Sequence, residues 1–414
     1  MERACTKNIE YGLLELNKFN STPDFGTSRI LFTPEELAGR EFVKSLMSNV
    51  GLEVEEDGIG NIFATLPGTE PELAPVWSGS HIDTVPNAGM FDGMTGVIGA
   101  IEALRLIKGS GIDHKRTIKA VVYTSEEPTR FGLSCLGSRA LAGILSYDDA
   151  EKLHDRNGKT LASVLQEIGH TPEEFDTIKK KPNEVFAAVE LHIEQGATLY
   201  DSGKKIALVK TICAPSNYII KVEGKQSHAG GTSMTDRCDA MTAAAELILE
   251  VERLAKADRL GEYTTATVGK IDIVPNAMNV IPGEVIFTLD IRYTDEESEQ
   301  EIVSRLKKFC TEIEKSRGVK ISIEMINRDI PVKCAPELMK ILKKYSLADG
   351  HEIENIISGA YHDSLMVGKF APVAMLFVPS KNGISHCPDE WTDFSDVALG
   401  VDVLAKSLLE IANM

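Results

Sequence analysis

Buried strands alternate with helices along much of this chain. The stretches 75–85 and 117–127 are apolar enough to be fully buried strands, and 94–111 between them has apolar residues at helical spacing and ends in glycine. A third strand at 185–196 leads into a polar tip. This recurrence predicts an α/β fold with a mostly parallel sheet covered by helices. In such sheets, functional groups cluster in loops at the carboxyl ends of the strands.

A different pattern occupies the middle of the chain. Between residues 213 and 329 the order is strand, helix, strand, strand, helix, strand, with one continuous strand at 265–274. This is the order of a ferredoxin-like α+β fold. We therefore expect 1–212 and 330–414 to form one mostly parallel-sheet domain, into which 213–329 is inserted as a smaller α+β domain.

Composition narrows the possible partners. The 414 residues include 62 acidic and 44 basic side chains, a formal net charge of −18, which argues against nucleic-acid binding. No apolar run approaches about 18 residues, so we expect no membrane span. Seven scattered cysteines without a CxxC pair argue against a disulfide framework and favour a reducing, cytoplasmic location. An acidic protein that acts on an anionic substrate needs a local positive centre, which a bound metal ion would supply.

Polar side chains follow the first predicted strand. His81 ends that strand, and Asp83, two residues on, points to the same side by strand geometry. A metal-bound histidine commonly needs a carboxylate at its other ring nitrogen, and Asp83 is a candidate for that position. Asp92 follows between glycines that allow the chain to turn back toward His81. Asp92 is equally well interpreted as the N-cap of the helix that starts at residue 94.

Two adjacent carboxylates, Glu126 and Glu127, end the next predicted strand. They would repel each other unless a cation neutralised one of them, and a turn beginning at Pro128 allows both to face the same side. One carboxylate would then bind a metal ion while the other takes a proton from water. The alternative interpretation is a solvated strand end.

Two further histidines follow apolar strands: His192 in ELHIEQG and His386 in the loop after 371–378. The candidate ligands are then three imidazoles and two carboxylates at predicted strand ends, namely His81, Asp92, Glu127, His192 and His386. Five ligands exceed the three of a single catalytic zinc site. They fit two ions that share one bridging carboxylate, an arrangement suited to water activation and carbonyl polarisation.

Four motifs carry a family resemblance: GSHIDTVPNAGMFDG, TSEEPTRFGLSCLGSRALAG, ELHIEQG and GISHCPDEW. They resemble those of the di-metal aminoacylase/carboxypeptidase superfamily. Within it, the chain looks like the amidohydrolase branch that acts on N-carbamoyl and ureido compounds. That branch holds N-carbamoyl-L-amino-acid hydrolases, allantoate amidohydrolases, ureidoglycolate amidohydrolases and β-ureidopropionases. The resemblance covers nearly the whole chain, including the inserted domain.

The resemblance implies roles for the matching positions. Two divalent ions, Zn²⁺ or Mn²⁺, would be held by one bridging carboxylate and two further ligands each. These ligands are Asp92 as the bridge, His81 and His192 for one ion, and Glu127 and His386 for the other. Glu126 would be the general base, and Asp83 would orient His81.

The same resemblance implies substrate contacts with the carboxylate and ureido portions of the substrate. These residues are Gln195, His228, Asn279 and Arg292. The residues alone leave other interpretations open, since Arg292 is also suited to a surface salt bridge and the other polar positions to turns. The loop SGAYHDS adds Gly359 and His362 as residues expected to line the pocket.

The resemblance thus predicts hydrolysis of a ureido C–N bond in a small carboxylate-bearing substrate, with release of ammonia and carbon dioxide. N-carbamoyl-L-amino acids, ureidoglycolate and allantoate are the candidate substrates. It also implies a homodimer formed through the inserted domain, which would act as a lid. Two alternatives remain: an aminoacylase- or dipeptidase-type hydrolase on the same metals, and a non-catalytic binding protein, which the intact Glu126 and full ligand set disfavour.

Overall fold

A computed structural model describes residues 1–256 and 261–414, which divide into two compact units. The first unit combines three segments of the chain and the second combines two. They are Met1–Lys210, Lys333–Ser358 and His362–Met414 for the first, and Thr211–Val332 and Gly359–Tyr361 for the second. The expected domain boundaries differ from these by a few residues. The grouping of the three residues 359–361 with the second unit was not predicted.

Helices and strands run through both units. The helices are α1 (Thr6–Asn17), α2 (Pro34–Asn49), α3 (Met94–Ser110), α4 (Leu136–Leu141), α5 (Tyr147–Ala150), α6 (Leu161–Glu167), α7 (Phe175–Ile178), α8 (Thr198–Ser202), α9 (Ala240–Ala255), α10 (Glu296–Arg317), α11 (Pro336–Ala348), α12 (Asp363–Val367) and α13 (Phe394–Ile411). The strands are β1 (Glu53–Glu56), β2 (Ile62–Leu66), β3 (Val76–His81), β4 (Ile118–Tyr123), β5 (Ala187–Ile193), β6 (Ile206–Ile212), β7 (Ala214–Glu223), β8 (Ser227–His228), β9 (Thr264–Thr267), β10 (Ile271–Val274), β11 (Val280–Ile281), β12 (Glu284–Tyr293), β13 (Lys320–Arg328), β14 (Val332–Lys333), β15 (Ile353–Ser358) and β16 (Val373–Val378). Among the described residues, no helix has both the length and the apolar character needed to cross a membrane.

The main sheet of the first unit runs in the order β1-β2-β4-β3-β5-β16-β6, with β15 also paired to β6. Its centre is parallel, because β3 pairs in parallel with β4 and β5, and β5 with β16. Antiparallel pairs flank this centre on both sides. The central strands are almost entirely buried, which explains their continuous apolar sequences. The predicted α/β class with a mostly parallel sheet is confirmed.

Helix α3 places the loop before it at the edge of this sheet. Most of its residues are buried because it packs against both the sheet and α13. Its apolar side chains, Ile98 and Ile101 among them, belong to the main core. The helix begins at Met94, so Asp92 lies just before its first turn. Core packing of α3 therefore fixes the position of the Asp92 loop.

A second apolar cluster is formed largely by residues 131–175. The helices of this segment were not predicted from the sequence. The cluster includes Leu31, Phe131, Leu136 and Phe175, all buried. Helices α4 to α7 contain only four to seven residues each. Such short segments give too few turns for a helical repeat of apolar positions to stand out.

The second unit contains a sheet in the order β10-β12-β7-β13, with β9 also paired to β12. Burial alternates along β12, as expected for a sheet with one covered face. The continuous strand predicted at 265–274 is wrong. Strand β9 ends at Thr267, β10 begins at Ile271, and the two pair with different halves of β12. Gly269 lies in the interruption, where a residue without a side chain weakens strand pairing.

Candidate metal centre

The predicted ligands come from the ends of neighbouring strands. His81 is the last residue of β3, and His192 is the penultimate residue of β5. Glu127 follows β4, and His386 lies in the loop after β16. Because these strands are parallel neighbours, their carboxyl ends meet at one edge of the sheet. The fold thus brings four separated stretches of the chain together.

Asp92 belongs to two groups of three candidate ligands, one with His81 and His192 and the other with Glu127 and His386. Its Oδ1 is 3.2 Å from Nε2 of His192 and 3.9 Å from Nε2 of His81. Its Oδ2 is 2.8 Å from Nε2 of His386, which is 3.4 Å from Oε1 of Glu127. Within each group of three the ligand atoms lie within 4.8 Å of one another. One oxygen of Asp92 therefore faces each group, as a bridging carboxylate would.

Backbone carbonyls orient two of the imidazoles. Nδ1 of His192 lies 2.9 Å from the carbonyl oxygen of Ile193, and Nδ1 of His81 lies 3.0 Å from that of Asp83. A carbonyl oxygen only accepts, so Nδ1 carries the hydrogen in each neutral ring and Nε2 keeps its lone pair. Both Nε2 atoms face Asp92. This is the tautomer that a metal ligand requires.

Asp83 has a wider role than the one predicted for it. Its carboxylate is 3.6 Å from Nδ1 of His81, farther than its own carbonyl oxygen. The two carboxylate oxygens accept hydrogen bonds from the backbone N–H groups of Glu126 and Glu127, both at 3.1 Å. Asp83 therefore joins the end of β3 to the turn after β4 and positions both glutamates.

The buried charges at this edge favour a cation. Burial raises the pKa of Glu126 well above the usual carboxyl range, although a nearby imidazole opposes the shift, and burial also raises the pKa of Glu127 to about 7. The hydrogen bond to Asp92 raises the pKa of His386 to about 9. Against the effect of burial, hydrogen bonds to two imidazoles hold the pKa of Asp92 well below its usual value. Imidazoles and carboxylates are ligands that suit zinc and manganese, so the residues present fit such ions.

Glu126 lies beside the cluster without belonging to either ligand group. It is 6 % exposed, and its Oε2 is 3.8 Å from Nε2 of His81. A buried carboxyl group with increased proton affinity next to a candidate ion site is suited to accepting and returning a proton. Glu126 and Glu127 are adjacent in sequence, but only Glu127 belongs to a group of candidate ligands.

Gln195 reaches the same cluster from the loop after β5. Its Nε2 donates to Oδ2 of Asp92 at 2.9 Å, and its backbone N–H donates to Oγ of Ser380 at 3.0 Å. The residue has a φ of 55°, which a non-glycine residue adopts only when its surroundings hold it there. Its Oε1 is buried and has no hydrogen-bond partner among the described residues. That oxygen is available to accept a hydrogen bond from a ligand.

His362, predicted to contact substrate, is fully buried beside His192. The two ring centroids are 4.5 Å apart, and Nε2 of His362 is 3.0 Å from Oγ of Ser358. The next residue, Asp363, accepts a hydrogen bond from Oγ of Ser138 at 2.5 Å, and burial raises the pKa of Asp363 to about 8. These contacts make both residues part of the buried polar region around the cluster.

Sequence reasoning missed Glu190, which lies two residues before His192 inside β5. Its carboxylate accepts hydrogen bonds from Oγ of Ser80 at 2.8 Å and Oγ of Ser364 at 2.6 Å. An acidic residue inside an apolar strand was the available signal, because a buried carboxylate needs hydrogen-bond partners.

In the second unit, the fold brings His228 and Asn279 together. Strand β8 pairs with β11 so that His228 is opposite Val280. The backbone N–H of Ala229 donates to the carbonyl oxygen of Asn279 at 3.0 Å. The N–H groups of Gly230 and Gly231 donate to Nδ1 of the exposed His228 side chain at 3.1 and 3.0 Å, so Nε2 carries the hydrogen in the neutral ring.

Two other predicted residues of the second unit, Arg292 and Gly359, are in contact. Nη1 of Arg292 donates to the carbonyl oxygen of Gly359 at 3.3 Å, and Nε donates to Oδ1 of Asp290 at 3.1 Å. Cζ of Arg292 lies 5.3 Å from the ring centroid of Tyr361. The guanidinium is thus held by the carbonyl oxygen of Gly359, the carboxylate of Asp290 and the aromatic ring of Tyr361.

Two groups of candidate ligands lie at the carboxyl edge of a parallel sheet beside a glutamate, and all of these ligands except His386 are buried. This arrangement defines the class of metal-dependent hydrolases. The chain belongs to peptidase family M20/M25/M40, which matches residues 77–410. The predicted superfamily is therefore confirmed.

Curated relatives of this chain are named as hydrolases, several of them as amidohydrolases. A ureidoglycolate hydrolase of Arabidopsis thaliana is 38% identical, over 96% of this chain and 85% of that one. An allantoate amidohydrolase of Bacillus subtilis is 36% identical, over 100% and 98%. An N-carbamoyl-L-amino-acid amidohydrolase of Paenarthrobacter aurescens is 35% identical, over 98% of both chains. The predicted amidohydrolase branch is confirmed by these relatives.

Solved structures agree. A hydantoinase/carbamoylase family amidase from Burkholderia multivorans superposes with a TM-score of 0.87 at 32% identity, covering 100% of this chain and 99% of that chain. The crystal structure of AtUAH in complex with glyoxylate gives a TM-score of 0.88 at 36% identity, covering 99% and 98%. The fold is shared along the full length of the chain.

Proposed function

We propose that this chain is a di-metal amidohydrolase that cleaves the ureido C–N bond of a small carboxylate-bearing substrate. Water adds to the ureido carbonyl, and one C–N bond breaks to give ammonia and a carbamate. The carbamate then loses carbon dioxide, which breaks the second C–N bond and leaves an amine or amino acid. N-carbamoyl-L-amino acids, ureidoglycolate and allantoate are the proposed substrates. The observation that carries the proposal is Asp92 facing two ligand groups with the buried Glu126 alongside. The names of the relatives support the choice of substrate.

In this proposal His81, Asp92 and His192 hold one divalent ion and Asp92, Glu127 and His386 hold the other. When bound, Zn²⁺ or Mn²⁺ would polarise the ureido carbonyl and lower the pKa of water. The carboxylate of Glu126 accepts a proton from the attacking water and later delivers it to the leaving nitrogen. Asp83 holds the backbone of Glu126 in place during both transfers.

We assign recognition of the substrate to four polar side chains. Arg292 binds the substrate carboxylate through its guanidinium, whose planar fork suits two carboxylate oxygens. Gln195 accepts a ureido N–H through Oε1, which has no partner among the described residues. His228 and Asn279 contribute further hydrogen bonds to the bound substrate.

We also propose that the second unit serves as a lid and as the contact of a homodimer. Strands β10 and β13 lie at opposite edges of its sheet, and apolar side chains are exposed there, namely Ile271, Val274, Met325 and Ile326. Exposed apolar edge strands favour pairing with another chain. Sedimentation analysis should give a mass near twice that of the chain, and a mass near one chain would contradict the dimer.

A substrate panel tests the proposed reaction. The purified protein, loaded with Mn²⁺ or Zn²⁺, should release ammonia from N-carbamoyl-L-amino acids, ureidoglycolate or allantoate. N-acyl amino acids and dipeptides should react far more slowly, because they lack the second ureido nitrogen. Turnover of dipeptides or N-acyl amino acids alone would replace this proposal with the aminoacylase- or dipeptidase-type alternative.

Gly359→Ala should raise KM by about tenfold with a smaller effect on kcat. A Cβ at this position would lie 2.4 Å from Oη of Tyr263, so either the Tyr263 ring or the segment whose carbonyl accepts from Arg292 must shift. A hydrogen bond to a charged group contributes about 1.5–3 kcal/mol, which sets the size of the effect. Gly269→Ala is the matched control, because a Cβ there meets no atom within 4 Å. Equal KM values for both variants in steady-state kinetics would argue against Arg292 as the carboxylate anchor.

A further inference from the structure

Glu390 is buried in the loop after β16, four residues beyond His386, and sequence reasoning did not identify it. Its side chain makes hydrogen bonds through both carboxylate oxygens. Oε1 accepts from the backbone N–H groups of Phe91 at 2.9 Å and Asp92 at 3.1 Å. Oε2 accepts from Oγ of Ser385 at 2.7 Å and from the backbone N–H of His386 at 3.4 Å. One carboxylate thus binds the backbone of two candidate metal ligands.

The contacts of Glu390 link parts of the chain far apart in sequence. Asp92 and His386 belong to the same ligand group, and their side chains meet at 2.8 Å between Oδ2 and Nε2. His386 has a φ of 57°, a conformation that costs a non-glycine residue free energy unless its surroundings fix it. Glu390 supplies such a constraint through the N–H of His386 itself and the hydroxyl of Ser385.

The surroundings of Glu390 keep its side chain in this position. A Cβ on Gly89 would lie 2.3 Å from Cβ and 2.4 Å from Oε1 of Glu390, so position 89 has no room for a side chain. Phe91, whose backbone N–H donates to Glu390, packs its ring edge-on against that of Trp391 with centroids 5.3 Å apart. Glu390 is 4 % exposed. Burial and the close approach of Gly89 therefore leave this side chain little room to move.

Glu390 is not arranged as a metal ligand itself. Its two oxygens already accept four hydrogen bonds, which is about the full capacity of a carboxylate. Glu390 also lies outside all three groups of candidate ligands found among the described residues. Glu390 contacts the backbone of two candidate ligands, whereas the side chain of Glu127 is itself a candidate ligand.

We propose that Glu390 is a positioning residue that holds Asp92 and His386 at the separation needed to bind the second divalent ion. The inference rests on the proposed di-metal function, since it concerns the ion held by Asp92, Glu127 and His386. Loss of the Glu390 contacts weakens that site more than the first, because two of its three ligands lose a backbone contact, whereas His81 and His192 are oriented by other backbone groups.

The test is Glu390→Gln, which keeps the size of the side chain but replaces one accepting oxygen with an NH₂ group. Chelator-treated protein is titrated with Mn²⁺ by calorimetry, without substrate. We expect two ions to bind to the unmodified protein, and the second to bind the variant about 10–100-fold more weakly with a smaller effect on the first. Activity of the variant should recover in excess Mn²⁺ with KM unchanged, which a general loss of structure would not produce.

Two further variants make the result specific. Glu102→Gln is the matched control, because Glu102 is also a buried carboxylate that accepts a backbone N–H, from Cys5, and side-chain donors, in a region apart from the cluster. Gly89→Ala should reproduce the weakened second site by displacing Glu390. The proposal is overturned if Glu390→Gln binds both ions as the unmodified protein does, or if Glu102→Gln weakens the second ion equally.

Failure of this inference and failure of the proposed function give different results. An unmodified protein that binds two ions but hydrolyses only dipeptides would refute the proposed substrate class, while a weakened second site in Glu390→Gln would still support the role of Glu390. An unmodified protein that binds no divalent ion would overturn both proposals.

Discussion

Glu126→Gln should lower kcat by about 10²–10⁴-fold while the protein keeps its full content of divalent metal. The amide has nearly the shape of the carboxylate, so the hydrogen bond from the Glu126 backbone to Asp83 remains. What is lost is the only function proposed for this side chain, acceptance of a proton from water and its return to the leaving nitrogen. KM should change little, since Glu126 is not assigned to binding.

The adjacent residue provides a matched comparison. Glu127→Gln makes the same chemical change one position along the chain, but in a residue whose Oε1 faces His386 within a ligand group. We expect Glu127→Gln to lose metal and to regain some activity when Mn²⁺ is added in excess. Glu126→Gln should not respond to added metal. Metal analysis of both purified variants, together with steady-state kinetics, separates the two roles.

Two outcomes would contradict this assignment. Full activity in Glu126→Gln would remove Glu126 as the general base, although the metal centre would be unaffected. Loss of metal in Glu126→Gln would make Glu126 a ligand. That result would require a different group to move the proton, and Asp363 would become the next buried carboxyl group to test, since its Oδ2 has no hydrogen-bond partner among the described residues.

The strand ends explain why most residues of the candidate metal centre could be proposed from the sequence. His81, Glu127 and His192 each follow a stretch apolar enough to be recognised as a buried strand. In a parallel sheet the carboxyl ends of such strands meet, so the sequence positions alone imply proximity. The paired glutamates were informative for the same reason, because two buried carboxylates require a compensating charge.

The supporting residues could not be found in this way. Glu390 acts through the backbone of Asp92, 298 positions away, and no local pattern encodes that contact. For Asp83, strand periodicity correctly places the side chain near the cluster but does not reveal whether it contacts His81 or the backbone of the next strand end. The break in the predicted strand 265–274 depends on pairing with two parts of β12, which is also a property of the folded sheet.

Asp92→Asn should remove both divalent ions, the largest effect on metal binding expected from a single substitution. Oδ1 faces His192 and Oδ2 faces His386, so Asp92 is the one residue common to both of these ligand groups. An asparagine offers one oxygen, and its NH₂ group would point a hydrogen at the imidazole or the ion on the other side. Changes in residues that merely support a ligand cost about 10–100-fold in metal affinity, so loss of the shared ligand should cost at least about 100-fold at each site.

Calorimetric titration of chelator-treated Asp92→Asn with Mn²⁺ measures this effect directly, and activity should stay at background even in excess metal. Asp155→Asn is the matched control, because Asp155 is also buried and accepts backbone N–H groups in a loop of the same unit, outside both ligand groups. Retention of one tightly bound ion in Asp92→Asn would show that the two groups bind independently. Asp92 would then be a ligand to a single ion, and the proposed bridge between the two sites would be wrong.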